Sequence, residues 1–171
     1  YIYKVKEDAE ITLEANPDDL TPEYIHMLRT LPINRISMGI QTFQEETLKL
    51  LHRRHTAQQA IEAVQHCREA GFQNISIDLM YGLPGETLDT WKEDLQQAIA
   101  LHPEHISAYH LIYEEGTALW KLREQNQVEE ADEDLSVTLF KTLIEELTHA
   151  GYEHYEISNF SLPGLYSRHN S

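Results

Sequence analysis

A single cysteine, Cys67, in 171 residues excludes an internal disulfide framework and fits a reducing compartment, so a cytoplasmic protein is expected. Basic residues are scarce. Thirteen Lys and Arg face 29 Asp and Glu, for a formal net charge of -16. No basic stripe offsets that excess, which argues against binding nucleic acid or an anionic membrane surface. No apolar run approaches the roughly 18 residues of a membrane span, and no signal peptide is visible. The seven glycines form no phosphate-binding loop, and no Ser-His-Asp order is present. Low-complexity and linker-like stretches are missing too. The length suits one domain or a piece of one, large enough to bury a core.

What is present is a repeated strand and helix pattern. In Ile77-Asp78-Leu79-Met80-Tyr81-Gly82-Leu83-Pro84-Gly85-Glu86-Thr87 an apolar strand carries one acid, Asp78, towards its end. A Gly-Leu-Pro-Gly turn follows, then a helix from about Thr87. Similar strands are read at residues 35–41, ending in Gln41, at 105–111, and at 155–160. An earlier strand, residues 9–14, ends in Glu14-Ala15-Asn16-Pro17, where proline stops regular pairing. Between them, Thr21-Pro22 reads as an N-cap with proline at the first helical position, and Thr56-Ala57-Gln58-Gln59 as a capping box. Leu88, Trp91, Leu95, Ala98 and Ile99 share one helical face, and so do Leu135, Leu139, Leu143 and Leu147. The acidic run at residues 129–134 reads as a solvated loop favouring a helix N-terminus. Gly71 and Gly151 suit the left-handed position that ends a helix. The alternation predicts an α/β fold with βαβ units and parallel strands, open or curled into part of a barrel.

In such folds the carboxyl ends of the strands form the binding face. Glu14, Gln41 and Asp78 would therefore meet on one rim, and Arg53, in the stretch before the capping box, is close enough in sequence to join them. Two acids, an amide and a guanidinium suit a ligand with an amino-acid end and a sugar. The competing reading makes them helix caps and surface ion pairs. Cys67 reads as a small core residue. His52-x-x-His55 and His102-x-x-His105 lack a third ligand nearby, so no metal site is expected. His110 reads as a hydrogen-bonded core residue.

Glu14-Ala15-Asn16-Pro17, the run Arg35-Ile36-Ser37-Met38-Gly39-Ile40-Gln41-Thr42-Phe43, Arg53-Arg54-His55 and residues 77–85 resemble the radical S-adenosylmethionine family around oxygen-independent coproporphyrinogen III oxidase. Arg168-His169-Asn170 resembles the start of a motif of its heme-chaperone (HemW-like) branch. The resemblance implies a three-quarter (β/α)6 barrel with S-adenosylmethionine across the strand ends. Glu14 would hold the ligand ammonium and Arg53 its carboxylate. Gln41 and Asp78 would hold ribose or neighbouring polar groups, Gly82 would shape the turn beneath, and His169 would touch heme. The family also carries a Cys-x-x-x-Cys-x-x-Cys loop that binds a 4Fe–4S cluster, and Cys67 alone cannot replace it.

The chain opens at Tyr1 and stops at His169-Asn170-Ser171, so residues 1–171 are expected to be a fragment. It would be the later two-thirds of the barrel domain, without the first two strands, the cysteine loop and a C-terminal domain. The fragment alone would be inactive and would dimerise through an exposed edge strand. The resemblance implies a heme chaperone in heme metabolism that binds and transfers heme, with heme or porphyrin as the small molecule and an acceptor hemoprotein as partner. An alternative is coproporphyrinogen III oxidase, which decarboxylates two propionates to vinyl groups. A distant one is an unrelated barrel hydrolase using Asp78 and Glu14 as acid and base.

Overall fold

A computed structural model describes residues 11–163. Its strands are β1 (Thr12–Ala15), β2 (Arg35–Gln41), β3 (Ile75–Tyr81), β4 (His105–His110), β5 (Glu153–Glu156) and β6 (Asn159–Ser161). The helices are α1 (Pro22–Leu28), α2 (Glu45–Leu50), α3 (Ala57–Glu69), α4 (Leu88–Ala100), α5 (Ala118–Glu124) and α6 (Glu133–His149), and a 3-10 turn occupies Pro17–Asp19.

Local chemistry sets most boundaries. Thr21 accepts a hydrogen bond from the Tyr24 N–H, with Pro22 opening α1. Thr56 closes a reciprocal capping box with Gln59 at the head of α3, and Thr87 closes one with Thr90 at α4. Asp132 caps α6 by accepting from the Leu135 N–H at 2.7 Å, so the acidic run serves that helix start. After α3 and α6 the chain turns through Gly71 and Gly151, at φ of 97° and 98°.

The sheet order is β1-β2-β3-β4-β6-β5, and the first four strands are parallel. Parallel register aligns Ala15, Met38, Ile77 and Ile106 across the sheet, with Phe160 next on β6. Side chains alternate between the two faces. The other set runs Glu14, Ser37, Ser76 and His105 in one row, and Gly39, Asp78, Ser107 and Asn159 in the next. The buried core takes the first set together with the helices, and leaves out even Met80 and Tyr109 of the second. Parallel sheets covered on both faces read as continuous apolar strands; this one alternates because helices pack on one face. The result is an open α/β sheet of the partial-barrel class. Trp91 pins α4 to α6, fully buried with its indole N–H donating to the Leu139 carbonyl at 2.9 Å.

One strand departs from expectation. Residues 155–160 are not a further parallel strand. The chain reverses at Ile157-Ser158, and β6 returns antiparallel to both β4 and β5. The Ala108 N–H holds the Ser158 carbonyl at 2.8 Å. This reversal puts Phe160 into the core and lets Asn159 accept from Ser107 Oγ at 2.6 Å.

Candidate functional site

The carboxyl ends of β1, β2 and β3 lie side by side and enclose a cavity of about 290 Å³. Glu14, Ala15, Asn16, Asp19, Ser37, Gly39, Gln41, Arg53 and Asp78 line it. Four residues expected from the sequence, Glu14, Gln41, Arg53 and Asp78, therefore come together. Gly82 does not join them.

Each side chain arrives for a local reason. Asp78 faces Gly39 in register, and Glu14 faces Ser37. Gly39 is the opening in the wall: a Cβ there would lie 3.1 Å from Gln41 Nε2 and 3.5 Å from Arg53 Nη2. Arg53 reaches over from the segment before α3. Its Nη2 donates to Asn16 Oδ1 at 2.9 Å and to the Gly39 carbonyl at 3.0 Å. Its buried Nε has no hydrogen-bond partner among the described residues. At Gln41 the register shifts and φ is 73°. The Thr42 N–H donates to the Ile40 carbonyl at 2.9 Å, closing a γ-turn of the rare, strained hand around Gln41.

Burial, reinforced by the negative charge of Glu14, pushes the Asp78 carboxyl up to about 6, while Arg35 pulls the other way. Three acids, Glu14, Asp19 and Asp78, share the cavity with one guanidinium. A bound cation relieves their repulsion, and the arginine offers an anion its place. The arrangement thus suits a zwitterion, with the open wall at Gly39 letting the ligand approach the backbone.

Gly82 belongs to the loop after β3, outside the cavity wall. Its φ is 71°, and a Cβ there would lie 2.5 Å from two atoms of the His110 ring. Its N–H donates to Glu86 Oε1 at 2.7 Å, as does that of Leu83 at 3.3 Å. Glu86 is buried, and desolvation pushes it up to about 8. His110 is held by the Leu111 carbonyl at 2.7 Å and Ser136 Oγ at 2.8 Å. Cys67 lies in the core on α3, its thiol pushed up to about 11 by burial. His169 lies outside the described residues. Among the described residues, no group of three His, Cys, Asp or Glu side chains is placed to hold a metal ion.

Asn16, Asp19, Ser37 and Gly39 were not expected in the wall. A glycine inside a strand was the available signal for Gly39, since such glycines mark close approach. Asn16 owes its place to Arg53, a contact of sequence separation 37 that no local pattern reveals.

The family model of the Radical SAM superfamily matches residues 1–98. The heme chaperone HemW of Lactococcus lactis is 40% identical over 161 residues, 94% of this chain and 42% of that protein. HemW of Bacillus subtilis is 36% identical over 162 residues, covering 95% of this chain and 43% of that protein. The chain thus spans about two-fifths of the length of these curated relatives. Among solved structures, coproporphyrinogen III oxidase (HemN) from Escherichia coli superposes with a TM-score of 0.81 at 26% identity, over 94% of this chain and 37% of that one. An unrelated barrel hydrolase does not account for these matches, and this chain belongs to the radical S-adenosylmethionine superfamily.

Proposed function

We propose that this chain is the S-adenosylmethionine-holding part of a cytoplasmic heme chaperone, which binds heme and passes it to an acceptor hemoprotein. The observation that carries the reading is the convergence of Glu14, Gln41, Arg53 and Asp78 on one cavity. Its support for the chaperone branch is the likeness to the HemW proteins of L. lactis and B. subtilis.

The donor set fits S-adenosylmethionine. Glu14 holds the ammonium, Arg53 meets the carboxylate with a guanidinium that still has an unpartnered N–H, and Gln41 and Asp78 accept or donate to ribose hydroxyls. At about 290 Å³ the cavity falls just below the roughly 300–1,000 Å³ range of ligand sites. In this superfamily S-adenosylmethionine supplies a reactive adenosyl group when it is reduced. What these residues do is bind and orient it. A 4Fe–4S cluster does not fit this chain, because its one cysteine is a core thiol. Heme contact through His169 is likewise proposed.

Among the described residues β1 is one of the two edge strands of the sheet, and we propose that the isolated chain self-associates through that edge. A single monomeric peak in size-exclusion chromatography across a concentration series would contradict this. Among the described residues, no helix is long and apolar enough to cross a membrane.

The second reading, coproporphyrinogen III oxidase, is favoured by the likeness to the E. coli enzyme. One experiment separates the two. The intact protein is reconstituted anaerobically with iron and sulfide and given coproporphyrinogen III, S-adenosylmethionine and a reductant. Separately, it is titrated with heme. Heme uptake with no decarboxylated product supports the chaperone; protoporphyrinogen formation supports the oxidase.

A further inference from the structure

Two buried polar side chains outside the cavity converge on the turn that carries Gln41. Asp94 lies on the buried face of α4 with Trp91, Leu95 and Ala98, and is itself 0% exposed. A carboxylate in that setting is costly unless its oxygens are occupied. They are: Oδ2 accepts from Thr42 Oγ1 at 2.6 Å, and Oδ1 accepts from the Phe43 N–H at 2.9 Å and from Gln44 Nε2 at 3.3 Å. Burial raises the Asp94 carboxyl above its ordinary range, and these donors oppose the rise. All three donors lie in the residues just after Gln41.

His55 acts from the other side. It is 3% exposed, and its Nε2 meets the Ile40 carbonyl at 3.0 Å. A carbonyl only accepts, so Nε2 carries the proton. That same carbonyl receives the Thr42 N–H that closes the γ-turn. The residue at φ 73° is thus bracketed by Ile40, fixed by His55, and by Thr42 and Phe43, fixed by Asp94. A non-glycine residue held in this region costs about 1–3 kcal/mol and persists only where its surroundings over-determine it. Neither Asp94 nor His55 lines the cavity.

We infer that Asp94 and His55 are positioning residues that hold Gln41 in its left-handed conformation at the cavity wall. The ligand part of this inference rests on the proposed S-adenosylmethionine site; the conformational part does not. The test is a double-mutant cycle on the intact apoprotein, with Asp94→Ala, Gln41→Gly and both together, read as Tm. Glycine adopts positive φ without strain, so the Tm loss from Asp94→Ala should at least halve in the Gln41→Gly background. An equal loss in both backgrounds overturns the inference. Should Asp94→Ala not fold, Asp94→Asn enters the same cycle with the same criterion.

The second arm is equilibrium dialysis of S-adenosylmethionine against the cluster-loaded protein. Asp94→Ala is expected to weaken binding about tenfold at temperatures where it is folded, the scale of one backbone conformer's strain. Unchanged binding in Asp94→Ala, with binding lost in Glu14→Gln, overturns the positioning role. Unchanged binding in Glu14→Gln and Asp78→Asn removes the ligand reading instead, and the Tm cycle then decides the inference alone.

Discussion

Glu86→Gln should change the pH dependence of stability strongly. Glu86 is 9% exposed, accepts from the N–H groups of Gly82 and Leu83, and feels the charge of Asp94. Burial raises its carboxyl from the ordinary 4.5 to about 8. Between those values the folded chain keeps a proton that the unfolded chain releases, so stability falls as pH rises through the window. At 1.36 kcal/mol per pH unit, the full rise amounts to about 5 kcal/mol, of which roughly 2 to 3 fall between about pH 5 and pH 7. Glutamine keeps the carbonyl that accepts both N–H groups and cannot ionise. Urea unfolding of the intact apoprotein, wild type and variant, at a series of pH values reads the effect directly. The gap between the two stability curves should widen by about 2 to 3 kcal/mol in favour of Glu86→Gln from about pH 5 to pH 7. Asp94 is present in both proteins and largely cancels. Parallel curves across the window would refute the reasoning.

The other expectations follow the same logic. Asp78 titrates near 6 in the free protein, so if its carboxylate binds the ligand, S-adenosylmethionine affinity should fall about tenfold per pH unit below that value; in Asp78→Asn that slope should vanish. Gly39→Val should weaken binding without unfolding the protein, because its Cβ meets Gln41 Nε2 at 3.1 Å and its methyls extend further into the cavity; unchanged affinity in dialysis would contradict it. Gly82→Ala combines a φ of 71° with a Cβ 2.5 Å from the His110 ring and should cost about 2 kcal/mol or more in urea unfolding; a loss within a few tenths would refute the packing described. Trp91→Ala should cost about 3–5 kcal/mol by the same measurement.

Much of the fold was legible because it rests on short-range rules. The caps at Thr21 and Thr56, the glycines after α3 and α6, and the apolar alternation of β2 and β3 are all encoded within a few residues. So was the rim: acids and amides at the ends of strands become neighbours once the strands are parallel. What stayed hidden depends on contacts distant in sequence. The hairpin of β5 and β6 reads locally as one strand, and only the pairing of Phe160 opposite Ile106 on β4 reverses it. The roles of Asp94 and Asn16 depend on partners 51–52 and 37 residues away. The family resemblance implied that Gly82 shapes the turn beneath the ligand; in the structure that turn packs Gly82 against His110, and Glu86 accepts from its N–H.

The most direct test of the central claim is S-adenosylmethionine binding by the intact, cluster-loaded protein, compared with Glu14→Gln, Arg53→Met and Asp78→Asn by equilibrium dialysis. A cavity that holds the ligand's amino-acid end and sugar predicts a loss of about tenfold or more in each variant, the scale of a removed charge-assisted hydrogen bond, with the fold retained. Wild-type affinity in all three would remove this cavity as the S-adenosylmethionine site.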